Sequence, residues 1–445
     1  MLLLCLLIVL PATAHAAARE IVSPRGLRVW LVEDHGTPVV TLGFRFAGGS
    51  AEDVTGKEGT AHFAAEMFFE GGGKLGTEEY LGRWTALGAE FNIEARLESL
   101  RGTIRVLTPD RDKAAELLSL AVNAPRYDAG SLDQVRDQIG TELDRNAADP
   151  ESAAYLAYDQ LGYAGHARAR PVGGTRASIG RIAAADIARY RDEVMARDGL
   201  TLAAVGDISD AELGPLVDRI FAGVPAHGKA SALTPPPPTK ANRRDLALAS
   251  GEATVVFGLA LPGLSEQERL SAELLNYTLG GSAFTSRLYH SVRERRGLAY
   301  SIGSTLDSYS FMSELSGSFS SAPATVEEAI GLLRAELAKL SSEPPTDAEV
   351  DEAKAALAGD YLRGLIRQAD MANELTLRMA EGAKPDCIES HAARLAAISP
   401  DDVRALARRI AWLDSLVVVT VGAPPNTGEA GGERARLPAP PANEP

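Results

Sequence analysis

Cysteine is almost absent from this chain: only Cys5 and Cys387 occur in 445 residues. Cys5 sits in a short apolar run, LLLCLLIVLPATAHA, which ends on an A-x-A cleavage pattern, Ala14-His15-Ala16. The run reads as a secretory leader, residues 1–16, with the mature chain starting at Ala17. It is too short for a membrane span and Pro11 interrupts it. No small residue precedes Cys5, which argues against a lipid-anchored cysteine. No Lys or Arg precedes the run either, a departure that an upstream start codon would explain. Without the leader Cys387 is the only thiol, so an internal disulfide is excluded. Export to a bacterial periplasm or beyond is the expectation. Basic residues are also scarce: 45 Lys and Arg against 60 Asp and Glu give a net charge of −15. That balance argues against nucleic acid or anionic membrane as the main partner. It suits a basic peptide, or simply a solvated acidic surface. Other signatures are missing too. Gly71-Gly72-Gly73-Lys74 lacks the phosphate-loop spacing, and Gly280-Gly281-Ser282 reads as a turn. His15, His35, His166, His227, His290 and His391 show no paired spacing, and neither a Ser–His–Asp arrangement nor a heptad repeat is evident.

What is present is enough apolar residue, 45% of the chain, for two full cores. Two similar halves are visible. Val39–Phe46 (VVTLGFRF) and Thr254–Leu261 (TVVFGLAL) read as strands, each leading through glycine into a helical region. Leu202–Asp207 (LAAVGD) and Val417–Gly422 (VVVTVG) read as the strands that close each half. Phe44 and Gly258 lie 214 residues apart and Gly206 and Gly422 lie 216 apart, the mark of a duplication. Between the halves, the prolines of SALTPPPPTK form a stiff connector. The expected division is a domain at 17–229, a linker at 230–245, a domain at 246–423 and a disordered tail at 424–445. Strands mixed with long helices, such as Ala324–Leu340 and Asp347–Ile366, predict an α+β fold. Each of the two homologous domains is then a mixed, mostly antiparallel sheet covered by helices.

Gly59–Gly71 (GTAHFAAEMFFEG) carries the chemistry. In the inverted zinc motif His-x-x-Glu-His, two imidazoles one helical turn apart face a metal, and the glutamate activates the metal-bound water. Here His62 is present, Ala65 stands at the glutamate and Glu66 at the second histidine. A carboxylate can ligate a metal, whereas a methyl group cannot accept a proton. Loss of one such acid–base group typically slows a reaction by ~10²–10⁴-fold.

With GTAHF, RPVGGT (Arg170–Thr175), LAAVGDI (Leu202–Ile208) and the long stretch LGGSAFTSRLYHSVRERRGLAYSI (Leu279–Ile302), the chain resembles the insulinase/pitrilysin and mitochondrial-processing-peptidase family of zinc metallopeptidases. The resemblance runs from about Val22 to Gly422. It implies a third metal ligand at Glu142, 76 residues after Glu66, so that His62, Glu66 and Glu142 form a degenerate metal set. It also implies that Arg293 and Tyr300 match the family's Arg/Tyr pair, whose donors reach a substrate carbonyl from the other domain. Read alone, the same two residues would be a surface ion pair and a tyrosine packed in a sheet. Some bacterial relatives divide these parts between two chains, and this one resembles the chain without an intact zinc motif. The implied role is an accessory subunit, inactive alone, that acts on peptides with a homologous His-x-x-Glu-His partner. Zinc then belongs to the partner, with no cofactor expected here beyond residual metal. The alternatives are a non-enzymatic peptide-binding or scaffold protein of the same fold, and a self-sufficient peptidase using a His/Glu/Glu site.

Overall fold

The computed structural model describes residues 17–221, 223–237, 240–248, 250–422 and 435–436. The expected leader and most of the expected tail lie outside the described residues. The first half folds on a six-stranded sheet made of β1 (Arg19–Val22), β2 (Arg28–Glu33), β3 (Val39–Ala47), β4 (Glu90–Ala95), β5 (Ser99–Leu107) and β6 (Leu200–Gly206), in the order β1-β2-β6-β3-β5-β4. The second half uses β7 (Asn242–Ala247), β8 (Ala253–Leu261), β9 (Ile302–Ser308), β10 (Ser313–Ser321), β11 (Val417–Val421) and β12 (Ala435–Arg436), in the order β12-β7-β11-β8-β10-β9. In both sheets the closing strand runs parallel to the opening strand and antiparallel to the central one. β7 begins inside the segment read as linker, because its backbone pairs with β11 from Asn242 onward.

The duplication is legible in the register, with one correction. Phe44 faces Gly102 across β3 and β5, and Phe257 faces Gly317 across β8 and β10. A Cβ on Gly102 would lie 2.4 Å from the Phe44 ring, and one on Gly317 2.5 Å from the Phe257 ring. The counterpart of Phe44 is therefore Phe257, not Gly258, because each large ring needs a glycine opposite to fit the core.

One face of each sheet builds its own half's core, through Val29, Leu31, Phe44 and Leu202 in the first and Phe257, Leu259, Leu315 and Val418 in the second. The other face is covered by the opposite half. The helix Pro150–Gly162 brings Ala154, Ala157 and Tyr158 onto Val256, Val417, Val419 and Val421. Reciprocally, the helix Gln368–Ala380 brings Met371, Ala372 and Leu375 onto Trp30, Val32, Ala203 and Val205. Each crossing helix approaches at a glycine. A Cβ on Gly43 would lie 3.0 Å from the Ala372 Cβ, and one on Gly258 2.4 Å from the Tyr158 hydroxyl. Strand alternation thus serves two cores at once, one per face.

Candidate functional site

The His62 helix, Thr60–Glu66, starts in a construction that unites two distant motifs. Gly59 precedes it with φ 94°, a conformation that L side chains rarely adopt. Asp53 accepts hydrogen bonds from the Gly59 and Ala61 amides at 2.7 and 2.9 Å, satisfying two donors that the helix start would leave open. Arg170, from RPVGGT, donates to the Asp53 and Ala51 carbonyls, both at 2.7 Å. In the same loop Gly174 passes so close that a Cβ would lie 2.1 Å from the Glu58 carbonyl oxygen. These residues set the pose of His62. Burial pushes the Asp53 carboxyl up to about 7, against the pull of its two backbone donors.

Ala61, Phe63, Ala64 and Ala65 are buried, leaving His62 and Glu66 one turn apart on the half-open face. Facing them is the helix Ala129–Ala148, with Gln138 and Glu142 also one turn apart. His62 Nε2 lies 3.6 Å from Glu142 Oε2, and Gln138 donates to Glu66 Oε2 at 3.4 Å. The Glu66 carboxyl is raised from its ordinary value, first by burial and then by the Glu142 and Glu70 charges, with His62 opposing. The three residues expected from sequence do share one place. Among the described residues, however, no group of three or more His, Cys, Asp or Glu side chains is arranged to hold a metal ion. Gln138 engages one oxygen of Glu66, and the buried methyl of Ala65 stands at the acid–base position. Gln138 escaped the sequence reading, although its spacing of four from Glu142 places it on the same helix face.

Arg293 and Tyr300 stand in the corresponding crossover of the other half, between β8 and β9, as His62 stands between β3 and β4. A π-helical turn, Tyr289–Glu294, carries Arg293, anchored by fully buried Val292. Gly297, at φ 62°, then reverses the chain, with its amide on the Arg293 carbonyl at 2.8 Å. Tyr300 thereby returns over Arg293. The guanidinium carbon lies 5.0 Å from the Tyr300 ring centroid and 5.2 Å from that of Tyr289. Tyr300 is 84% exposed and lies outside the sheet. Among the described residues Arg293 has no ion-pair partner. The surface-ion-pair and sheet-packing explanations therefore fail for both. No hydrogen bond, ion pair or ring contact among the described residues joins this pair to the His62 group.

A further polar cluster escaped the sequence. Glu314, on β10, is fully buried and accepts from the Tyr158 hydroxyl at 2.9 Å, from the Tyr163 hydroxyl and from Arg168. The Arg168 guanidinium lies between the Tyr163 and Tyr309 rings, with Asp159 3.2 Å away. The cluster joins the two halves beneath the Pro150–Gly162 helix. In SELSGSFSS a glutamate between alternating residues reads as solvent-facing; only the crossing helix makes it interior.

Residues 28–176 match the family model described as insulinase, peptidase family M16, and residues 181–357 match that of the peptidase M16 inactive domain. An uncharacterized zinc protease of Streptomyces coelicolor is 26% identical over 405 residues, spanning 88% of this chain and 87% of that protein. A non-peptidase homolog of Helicobacter pylori is 23% identical over 350 residues, 78% of this chain and 80% of its own. The crystal structure of a peptidase M16 inactive domain from Pseudomonas fluorescens aligns at TM-score 0.85 and 22% identity, over 94% of this chain and 99% of that one. At that identity the structural likeness establishes the fold.

Proposed function

The chain belongs to the insulinase family, peptidase family M16, and from that membership we propose that it is the non-zinc subunit of a two-chain peptidase. It is inactive alone and lends Arg293 and Tyr300 to a homologous partner bearing His-x-x-Glu-His. The observation that carries the proposal is the asymmetry between the two crossovers. The first has a buried methyl at the acid–base position and, among the described residues, no convergent ligand set, whereas the second keeps a guanidinium with no ion pair among those residues beside an exposed phenol. Both groups are donors, and donors aimed at a carbonyl oxygen stabilise the negative charge that develops on it during peptide hydrolysis. Metal, water activation and proton transfer are the partner's contribution. This chain binds and orients the peptide and holds the oxyanion. The expected leader would carry this chain to the periplasm, where the proposed partner would have to meet it.

The test is reconstitution with a candidate partner and a peptide-cleavage assay. Neither chain alone should cleave at the rate of the mixture, and Arg293→Ala here should lower that rate by about 10²–10³-fold, the usual effect of deleting one oxyanion donor. An unchanged rate sinks the proposal. If no partner gains activity on mixing, the non-enzymatic scaffold reading takes its place. Chelator-sensitive cleavage by this chain alone would instead support a self-sufficient peptidase. N-terminal sequencing of the exported protein, expected to begin at Ala17, tests the location.

A further inference from the structure

A cavity of about 410 Å³ opens between the helix Glu266–Asn276, β9, the helix Gln368–Ala380 and the helix Cys387–Ala397, and its lining includes neither the His62 group nor Arg293 and Tyr300. Its volume lies within the roughly 300–1,000 Å³ typical of small-molecule sites. Most of its charges are already matched. Arg394 pairs with Glu266, and Arg378 donates to Glu374 at 2.8 Å and to Glu381 at 2.9 Å. Asp307 contributes from the sheet edge, and its cross-strand partner in the register is Glu314, so its side chain belongs to the sheet face covered by the Pro150–Gly162 helix. His391 stacks on Tyr361 at 3.9 Å, and burial, with the neighbouring Arg394 and Arg378 charges, lowers its pKa to about 4, leaving it neutral.

Two further lining charges, on the helix, have no direct partner, although the Arg378, Arg394 and Arg269 charges oppose the burial that raises the Glu273 carboxyl. Arg269 and Glu273 are half-buried and one turn apart on the same helix, yet among the described residues neither side chain has a hydrogen bond or ion pair. The order Arg-then-Glu along a helix is the less favourable one for pairing, because it opposes the helix dipole. Leu270, Leu306 and Leu377 supply apolar wall beside them. We infer that this cavity binds a small zwitterion of the amino-acid class with an apolar side chain, its ammonium on Glu273 and its carboxylate on Arg269. A single chain terminus of a long peptide brings only one of these charges and would leave the other unmatched. A free amino acid or a dipeptide brings both. The inference does not depend on the proposed partner subunit.

The experiment is titration calorimetry of the full chain with L-leucine and with dileucine, each also in N-acetylated and C-amidated form. Either uncapped ligand should bind saturably, and removing either ligand charge should weaken binding by about tenfold or more, the usual worth of a hydrogen bond to a charged group. Glu273→Gln and Arg269→Gln should do the same, with circular dichroism confirming their fold. The capped ligands give the same answer without any variant. No saturable binding of either uncapped ligand, or capped ligands binding as well as uncapped ones, overturns the inference.

Discussion

Replacing Arg168 by methionine removes the cation that the interface between the halves is built around while keeping most of its apolar stem. Glu314 would keep its two tyrosine donors but lose its countercharge, and Asp159, 3.2 Å from the same guanidinium, would lose its own. Breaking a buried ion pair from one side typically costs 3–5 kcal/mol, because the remaining charge stays desolvated. That loss of about 3–5 kcal/mol is the expectation near pH 8. Burial already raises the Glu314 carboxyl above its ordinary range and Asp159 to about 7, with Arg168 the charge that holds both down. Without Arg168 both should take up protons more readily, so the deficit should shrink as pH falls toward about 5.5, at up to ~1.4 kcal/mol per pH unit and group. Urea unfolding of wild type and variant at the two pH values measures this. Adding Glu314→Gln, which removes the stranded charge and keeps an acceptor for the tyrosines, should recover part of the loss at pH 8. A deficit below about 1 kcal/mol at pH 8, or one independent of pH, would refute the view that Arg168 neutralises this interface.

Asp53→Ala leaves the buried Gly59 and Ala61 amides without an acceptor and should cost about 1–3 kcal/mol in urea unfolding. For Asp53 itself the sign runs the other way from most carboxylates. Its pKa is raised to about 7 in the fold, so its stabilising contribution is complete below about pH 4 and lost as pH rises through 7; Asp53→Asn should flatten that part of the stability–pH curve. Gly258→Ala places a methyl 2.4 Å from the Tyr158 hydroxyl and should lower stability by about 1–3 kcal/mol, whereas Gly251→Ala, with open space around it, should change little. Because each half lends a helix to the other's sheet, calorimetry should show one unfolding transition; two separated transitions would contradict the exchange.

The halves, their central strands and the two crossovers were legible because each depends on local pattern. Val39–Ala47 and Ala253–Leu261 announce themselves by apolar runs ending near glycine, and the helix read at Asp347–Ile366 is observed at Asp347–Gly364. The exchange of helices was not legible, since nothing in Pro150–Gly162 says which sheet it will cover. Its alanines fit either one, and only the glycine at 258, under Tyr158, selects the far one. The same exchange explains why Glu314, in an alternating segment of β10, is buried. It also bears on how the first crossover could decay. The pose of the His62 helix rests on Asp53, Arg170, Gly59 and Gly174, through contacts in which neither His62 nor Glu66 takes part. Ala65 lies inside the core that this scaffold supports, with its methyl buried. The crossover therefore holds its shape with a methyl at the acid–base position, which is what the proposed division of work between two chains requires.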